Sequence, residues 1–428
     1  MNRLFLYMFL CVGISAQAQQ AKYGFRGASR DGIYTVNKKL LKTWSPEGLP
    51  LLWSSLQIGK GYSSPVAADG KVYVTGLTDD GSQEMLSAFD ADGKLLWQTV
   101  FGHSWSGSYS ESRSTPTVAG TEIYVESGKP ELVCIDAASG KILWSVDAVE
   151  RYNRKPTEFG PAESPLIVGN VAYFTTMSDK AALVAIDRIS GKVIWETPPY
   201  IDNLMYASPI MIEHKGKKQI IILSETYAAG IRPDDGSIAW KTDIRAIVKK
   251  GMEDSHWRPQ FTNTPIFRDG KICIAAGYDY GAMLLQLNDD ASQASLLWLN
   301  RTLDTHHGGM ALVNGYLYGS TWTNNSNGNW ACVEWKTGKT MYEERWQGGN
   351  KGSVLFADGM LYCLEEKSGN LALVKPNPEK FEIVSSFKIT EGSGPFWAHP
   401  SIDNDGRIYV RHGEALMVYS LDAAGSEK

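Results

Sequence analysis

The residues best suited to chemistry are His306 and His307, two adjacent histidines that precede Gly308 and Gly309. A histidine titrates near neutral pH, so His307 is a candidate general base or ligand contact, and the two glycines would allow a close approach. One histidine pair supplies fewer ligands than the three or four of a zinc site. The alternative is a loop histidine that only makes hydrogen bonds.

Three other segments between apolar runs contain similar side chains. Residues 101–113, 150–163 and 249–263 are rich in tryptophan, tyrosine, arginine, histidine and acidic residues. Rigid scaffolds often carry their binding and catalytic groups on loops of this kind. The alternative is that these side chains only cover a hydrated opening, and residue types alone do not separate the two interpretations.

Charge and cysteine usage exclude several classes of function. The chain of 428 residues has a net charge of -5 and a pI of about 5.9, so neither nucleic acid nor an anionic membrane surface is an expected partner. Beyond residue 18, each cysteine lies in an apolar run, where a free cysteine behaves as a small buried side chain. No C-x-x-C is present, so we expect neither a zinc site nor a redox motif. These four cysteines are Cys134, Cys273, Cys332 and Cys363.

The elements that must position these side chains repeat through the whole chain. Residues 64–97 contain an alternating run, an Asp-Gly turn and a final Gly-x-x-x-Trp, and the pattern returns with endings at Trp144, Trp195 and Trp240. Alternation with a period of two predicts β-strands, and the Asp-Gly and Asn-Gly pairs predict tight hairpins. Eight aromatic residues, 44 to 58 residues apart, close the successive copies: Trp53, Trp97, Trp144, Trp195, Trp240, Trp298, Tyr342 and Phe387.

This spacing predicts an all-β protein, an eight-bladed β-propeller with one four-stranded antiparallel blade per repeat. The last copy has no aromatic strand of its own, and Trp53 has no preceding hairpin, so we expect the amino-terminal strand to close the ring. Each tryptophan should cover a seam between blades, with its N–H on a carbonyl. We expect one propeller over residues 51–422, a leader over 19–50 that packs on it, and a tail over 423–428.

The first 18 residues resemble a cleaved secretory signal. Arg3 precedes an apolar run over residues 4–14, and Ala16-Gln17-Ala18 supplies the small-x-small pattern that signal peptidase recognises. A membrane anchor would need a longer run. We therefore expect a periplasmic or secreted monomer without a membrane span.

Equivalent positions of successive blades form rings around a propeller axis. Three residues before the proline of each inner strand, or before Met310 or Val354 in its place, the eight copies supply Tyr62, Arg113, Ala162, Tyr206, Thr262, His307, Lys351 and Trp397. The next position includes Glu163 and Asn263 among small residues. We predict a funnel that binds a ligand through Tyr62, Arg113, Glu163, Tyr206, Asn263, His307, Lys351 and Trp397. The two cations, Arg113 and Lys351, suit a small anionic or sugar-like ligand.

The motif Ala-x-Asp-x-x-x-Gly-x-x-x-Trp occurs as "AIDRISGKVIW" and, slightly altered, as "AFDADGKLLW" and "CIDAASGKILW". It resembles the tryptophan-docking repeat of the quinoprotein-type propellers, which include pyrroloquinoline-quinone (PQQ) dehydrogenases and non-catalytic relatives. The resemblance covers residues 53–421. The leader "FRGASRDG" is similar to that of exported PQQ-like repeat proteins, often labelled as outer-membrane protein assembly factors. Members of this family share architecture more than activity.

The resemblance leaves three functions open. The first is a scaffold that binds a ligand or an envelope protein without catalysis. The second is a dehydrogenase of alcohols, polyols or sugars, for which the family implies PQQ, calcium and an aspartate base. The third is a carbohydrate-active enzyme that uses Tyr206, His307 and Arg113 to abstract a proton.

Features that the family implies for catalysis are missing from the sequence. The chain has neither adjacent cysteines nor a haem-attachment C-x-x-C-H. The nearest calcium set is Glu163, Asn263 and Asp304, which form no recognisable motif. The sequence therefore favours binding without redox chemistry, with His307, Tyr206 and Asp304 as the catalytic candidates if the protein is an enzyme.

Overall fold

A computed structural model describes residues 20–155, 157–200, 202–255, 257–347 and 349–423. The first two strands are β1 (Ile33–Tyr34) and β2 (Leu51–Ser55). Blades 1 and 2 contain β3 (Val66–Ala68), β4 (Lys71–Leu77), β5 (Gln83–Asp90), β6 (Leu95–His103), β7 (Thr117–Ala119), β8 (Glu122–Glu126), β9 (Glu131–Asp136) and β10 (Ile142–Asp147), followed by helix α1 (Ala148–Tyr152). Blades 3 and 4 contain β11 (Leu166–Val168), β12 (Val171–Thr175), β13 (Leu183–Asp187), β14 (Val193–Glu196), β15 (Ile210–His214), β16 (Lys217–Leu223), β17 (Tyr227–Ile231) and β18 (Ile238–Asp243), followed by α2 (Ile244–Lys249).

The second half of the chain continues the same order. Blades 5 and 6 contain β19 (Ile266–Arg268), β20 (Lys271–Ala275), β21 (Ala282–Leu287), β22 (Ala294–Asn300), β23 (Met310–Val313), β24 (Tyr316–Ser320), β25 (Trp330–Glu334) and β26 (Thr340–Glu344). Blades 7 and 8 contain β27 (Gly352–Ala357), β28 (Met360–Glu365), β29 (Asn370–Lys375), β30 (Glu382–Lys388), β31 (Ser401–Ile402), β32 (Arg407–His412) and β33 (Ala415–Ser420).

The strand order confirms the predicted eight-bladed propeller. Within the described residues the strands form eight sheets, each an antiparallel meander of four strands, and blade 7 also takes β1 as a parallel fifth strand. In blade 8, β2 pairs antiparallel with β33, so the amino-terminal strand closes the ring as expected. Buried apolar side chains fill the seams between neighbouring blades in separate clusters, because each sheet packs one face on each neighbour.

The closing aromatics lie on the outermost strand of each blade and dock on the next blade. The indole Nε1 atoms of Trp144 and Trp195 donate to the carbonyls of Arg188 (3.0 Å) and Pro233 (2.9 Å). A Cβ atom on Gly191 would lie 2.8 Å from the Trp144 ring, so glycine is required where the indole covers the turn. Two docking tryptophans differ from the expectation: Trp240 donates to the Gln219 side chain, and Trp97 finds no acceptor among the described residues.

The leader crosses the central channel of the propeller. Tyr23 forms a bridge with Val118 of blade 2, and Gln20 forms one with Val168 of blade 3. Strand β1 pairs with β27 of blade 7, farther around the ring. A segment that contacts inner strands on different sides of the ring must lie near its axis, so the leader closes one end of the channel.

The four cysteines of the described chain are buried and unpaired, as predicted. They lie on β9, β20, β25 and β28, in four different blades. Burial raises the pKa of the Cys134 thiol to about 12, so it stays protonated at neutral pH. These side chains therefore contribute to packing.

The predicted signal peptide, residues 1–18, lies outside the described residues and remains a prediction, as do the domain limits. The described chain contains no helix that is long and apolar enough to cross a membrane.

Candidate functional site

A cavity of about 300 Å³ opens in the funnel at the propeller axis, and Phe25 of the leader is among its lining residues. The ring predicted from the repeat surrounds it, since all eight of the following residues contribute to its wall: Tyr62, Arg113, Ala162, Tyr206, Thr262, His307, Lys351 and Trp397. Residues far apart in sequence converge there because each lies shortly before the inner strand of its blade. That this ring binds a ligand remains a prediction.

Aromatic rings make up most of the cavity wall. The Trp397 ring lies 4.9 Å from that of Tyr62 and 5.1 Å from that of Tyr109, measured between ring centroids. On the other side, Trp257 stacks on Tyr278 at 5.3 Å with an interplanar angle of 16°. Offset and edge-on pairs of this kind stabilise one another, and these rings line the cavity with largely apolar surface.

The cation at Lys351 is already neutralised. Its Nζ lies 2.5 Å from Oε1 of Glu366, and the two side chains are only 4% and 6% exposed. Burial raises the pKa of Glu366, and the Lys351 ammonium opposes that rise. The hypothesis of two available cations is therefore reduced to one, because Lys351 and Glu366 together add no net charge.

The other cation, Arg113, holds the loop at the funnel mouth. Its guanidinium donates to the carbonyls of Tyr109, Ser108 (3.3 Å) and Glu111 (3.3 Å). It also lies over the ring of Tyr62, with Cζ 6.0 Å from the centroid. Arg113 thus positions Tyr109 against the cavity while it keeps its positive charge near the opening.

The imidazoles beside the cavity are neutral at pH 7. Burial lowers the pKa of His307 to about 3, and the charges of Lys351 and Arg113 act in the same direction. Its Nδ1 has no hydrogen-bond partner among the described residues and lies 4.0 Å from Glu366. A base with so low a pKa accepts a proton poorly at neutral pH.

His399, a residue that sequence reasoning did not select, links the leader to the funnel. Burial, followed by the nearby Arg26 charge, lowers the pKa of His399 to about 3. Arginine can only donate, so the 2.8 Å contact from Arg26 makes Nδ1 of His399 the acceptor. The Nε2–H then donates to the carbonyl of His307 at 2.6 Å. The neutral tautomer of His399 is thereby fixed by its two partners.

The two glycines after the histidine pair lie against other parts of the chain and do not enlarge the cavity. Gly309 has a φ of +69°, and a Cβ atom there would lie 2.2 Å from Nη1 of Arg26. A Cβ atom on Gly308 would lie 1.9 Å from the carbonyl oxygen of Gly352 in the next blade. The close approach expected at these glycines is made by the leader and by blade 7.

Two of the acidic candidates lie behind the cavity wall. An Oε1 atom of Glu163 accepts from the backbone N–H of Thr175 at 3.2 Å, and burial raises the pKa of Glu163 to about 8. Asp304 accepts from the N–H groups of Asp279 (2.5 Å) and Gly281 (2.8 Å), and burial raises its pKa to about 7. The Glu163 carboxyl thus holds the end of β12, and the Asp304 carboxyl holds the loop between β20 and β21.

Asn263 organises the loop that carries the histidines. Its Nδ2 donates to the carbonyls of Thr305 (2.9 Å) and His306 (3.1 Å), while its Oδ1 accepts from the N–H of Gly309 (2.8 Å). All three partners belong to one loop, so the amide positions His307 without lining the cavity itself.

The residues at the funnel do not fit calcium-bound PQQ. Calcium is usually held by several carboxylate and carbonyl oxygens. No carboxylate of the described chain lines the cavity, and Glu163, Asn263 and Asp304 are engaged with separate backbone groups. The donor set that the dehydrogenases would require is therefore not assembled here.

Several lining residues were not selected from the sequence as individuals. Tyr109, Trp257 and Gln260 lie within the loop segments singled out there, but these insertions have no repeat register to tell which side chain faces the axis. Phe25 belongs to the leader, which has no repeat at all. His399 follows Trp397 by two positions, the spacing of side chains on one face of a strand, and this signal could have identified it.

The buried His399 predicts a specific pH dependence. Because its folded-state pKa of about 3 lies below the ordinary 6.5, the unfolded chain takes up the proton first as pH falls. His399→Gln keeps an acceptor for Arg26 and a donor for His307 but cannot be protonated. Between pH 6.5 and 4.5 we expect the wild type to lose about 2 kcal/mol more unfolding free energy than the variant, as urea denaturation would measure. Equal losses in both proteins would contradict a buried neutral His399.

The sequence of this chain is similar to a known protein family. A family model described as outer membrane protein assembly factor BamB matches residues 82–340. BamB of Moranella endobia is 22% identical over 295 residues, which cover 66% of this chain and 69% of the relative. The matches span 48% to 69% of the length of such BamB relatives.

Solved structures share the fold at low sequence identity. The structure of BamB from Moraxella catarrhalis covers 88% of this chain and 98% of its own, with a TM-score of 0.59 and 13% identity. A europium-containing methanol dehydrogenase covers 92% of this chain and 90% of its own, with a TM-score of 0.63 and 12% identity. At these identities the similarity shows the architecture alone, and that architecture is shared by an outer membrane protein assembly factor and a dehydrogenase.

Proposed function

The chain belongs to the PQQ-repeat propeller family described as outer membrane protein assembly factor BamB, and from this premise we propose that it is a binding scaffold of the cell envelope. In this role the funnel holds an uncharged aromatic or apolar side chain of a partner protein. The proposal includes export to the periplasm or the outside of the cell, which the sequence of residues 1–18 supports.

The observation that carries this proposal is that other residues of the chain already engage most polar groups of the funnel, while aromatic rings form much of the cavity wall. Lys351 is paired with Glu366, both nitrogens of His399 are hydrogen-bonded, and the Arg113 guanidinium donates to carbonyls. What remains open to a ligand is a wall of rings. Burying an apolar group there releases water from both surfaces and requires few new hydrogen bonds.

The two enzymatic alternatives find less support at the same residues. A quinone dehydrogenase would need the calcium donors that the cavity lacks among its described lining residues. A carbohydrate-active enzyme would need a base, but the pKa of Tyr206 is raised by burial to about 12 and that of His307 is lowered to about 3. At pH 7 the phenol stays protonated and the imidazole is a weak base.

The proposal is tested with N-acetyl-phenylalaninamide, an uncharged probe with one ring and two amides. About 15 non-hydrogen atoms at roughly 0.3 kcal/mol each predict a dissociation constant of about 1 mM for the wild type. Trp397→Ala removes the ring at the centre of the wall and should weaken binding about tenfold. Saturation-transfer NMR would measure both affinities.

Leu143→Ala is the matched control, because Leu143 is 48% exposed on the outer strand β10 and far from the funnel. It should leave the affinity unchanged. Equal weakening in both variants, or no binding by the wild type, would contradict the proposal. So would tight binding of PQQ with calcium, followed by reduction of an acceptor dye with an alcohol or an aldose.

A further inference from the structure

A second cavity, of about 390 Å³, adjoins the funnel between blades 3 and 4. Its wall includes loop residues 153, 155, 157 and 158, before blade 3, and the segment 202–206, before blade 4. Tyr206 and Gln260 line both cavities. The two spaces are therefore neighbours that share a wall of one phenol and one amide.

Gln260 has an unsatisfied side chain in this shared wall. The residue is only 7% exposed, and its backbone N–H donates to the carbonyl of Ala276 at 3.0 Å. No donor among the described residues reaches its buried Oε1 atom. Buried amide oxygens are almost always hydrogen-bonded in native proteins, so a donor from a ligand or a water would complete the hydrogen bonding of this amide.

More acidic than basic side chains line the second cavity. Four acids and two bases line it: Glu158, Asp179, Asp202, Glu225, Lys155 and Arg258. Glu225 is buried and paired with Arg245 at 3.0 Å, and Asp202 accepts from Ser224 and Thr226, so these two acids are part of the wall.

The two remaining acids face solvent at the rim of the second cavity. Asp179 accepts from Asn153 at 3.3 Å, and neither it nor Glu158 has an ion-pair partner in the described chain. Arg245 and Arg258 lie 3.0 Å and 3.9 Å from Glu225, so with Arg245 counted four acids stand against three bases, an excess of one negative charge. A cationic group that enters the cavity would therefore find a favourable potential.

We propose that the two cavities form one site for an extended polypeptide, with an aromatic side chain in the funnel, a backbone N–H on Oε1 of Gln260, and an adjacent lysine or arginine side chain in the second cavity. In an extended chain, neighbouring side chains point to opposite sides of the backbone. The amide that joins an aromatic residue to a basic one can thus lie at the shared wall while the two side chains enter different cavities. This inference rests on the proposed function and adds the sequence preference of the partner.

The test compares dipeptide probes on the purified full chain. The probes are N-acetyl-Phe-Lys-amide and N-acetyl-Phe-Glu-amide, each also in the reverse order, with N-acetyl-phenylalaninamide as reference. We expect the better Phe-Lys order to bind about tenfold more tightly than the matching Phe-Glu peptide. Adding salt should reduce this difference, because Glu158 and Asp179 are exposed.

Two variants assign the effect to the proposed groups. Gln260→Met keeps the side-chain length but removes the amide, and it should weaken the preferred peptide about tenfold. Gln98→Met is its control, because that amide lies on strand β6 outside both cavities. The double reversal Glu158→Lys with Asp179→Lys should abolish the preference for Lys over Glu without affecting the reference probe.

The outcomes separate a failure of the proposed function from a failure of this inference. If the reference probe does not bind, the proposed function fails and this inference fails with it. If the reference probe binds but charge preference is absent, or if Gln260→Met binds as the wild type does, only this inference is overturned. Tri-N-acetylchitotriose is a glycan probe. If it bound and displaced the reference probe, and the dipeptides showed no preference, the site would be a glycan site and this inference would be overturned.

Discussion

Replacing Arg30 with methionine is expected to lower the free energy of unfolding by at least about 3 kcal/mol, because it removes a charged donor from three buried carbonyls, and the Thr117 hydroxyl still donates to one of them. The Arg30 guanidinium is buried and donates to the carbonyls of Ser164 (2.8 Å), Pro165 (2.5 Å) and Pro209 (3.2 Å). These carbonyls precede or begin the inner strands of blades 3 and 4. Urea denaturation followed by tryptophan fluorescence would measure the change.

Arg232→Met provides the control for this experiment. Arg232 is exposed, and within the described chain its guanidinium hydrogen-bonds to the Ser237 hydroxyl alone, so its replacement should change stability by less than about 0.5 kcal/mol. If Arg30→Met were as mild as this control, the leader could be removed without consequence. The channel would then not depend on it.

The second large effect is expected at Arg411, where the ring closes. This side chain of blade 8 is fully buried and donates to the carbonyls of Thr75 (2.5 Å) and Gly59 (3.0 Å) and to Oγ of Ser63 (2.6 Å). A Cβ atom on Gly61 would lie 2.2 Å from its Nη2, so the chain leaves space for the guanidinium. Arg411→Met should cost at least about 3 kcal/mol, since it leaves these acceptors unpaired across the seam between blades 8 and 1.

Hydrogen exchange would locate the damage from Arg411→Met. Amides of β2 and β3, which lie on the two sides of that seam, should exchange faster than those of β15 in blade 4. Arg345→Met, on an exposed side chain, should leave both regions unchanged. Uniform acceleration throughout the protein would show that Arg411 contributes to overall stability without a special role in closure.

The fold could be predicted because each repeat encodes its own meander. Alternation, turn glycines and a closing aromatic are local signals, and a single unmatched strand at Trp53 was enough to predict how the ring closes. The ring around the funnel could be predicted for the same reason, since its members share a fixed offset from the inner strand. Tyr62 and Trp397 meet at 4.9 Å although they lie at opposite ends of the propeller sequence.

The remaining features depend on contacts outside the repeat. Successive residues of an extended chain point in opposite directions, so Glu163 and Asn263, one position past the ring, face away from the cavity. Lys351 and Glu366 are separated in sequence by the β27–β28 hairpin. The repeat pattern therefore does not show that the Lys351 charge is paired. Arg26 crosses to Met310 and Val354, and no spacing rule relates the leader to those blades.

The tryptophans that do not close a blade fall into two groups. Trp257 and Trp397 line the funnel, and Trp322 lies 6.4 Å behind Trp257. Trp330 is instead buried and donates to the carbonyl of Asn350, and Trp105 covers the glycine at position 160. Packing therefore accounts for part of this group, and the funnel accounts for the rest.

The central claim is that the funnel is the binding site, and the indole N–H signals of ¹⁵N-tryptophan-labelled protein test it most directly. A titration with N-acetyl-phenylalaninamide should shift the signals of Trp257 and Trp397, assigned by single replacements with phenylalanine. The docking residues Trp144 and Trp195, whose N–H groups are held by carbonyls, should not move. Shifts confined to the docking tryptophans, or no shift at saturating probe, would contradict the claim.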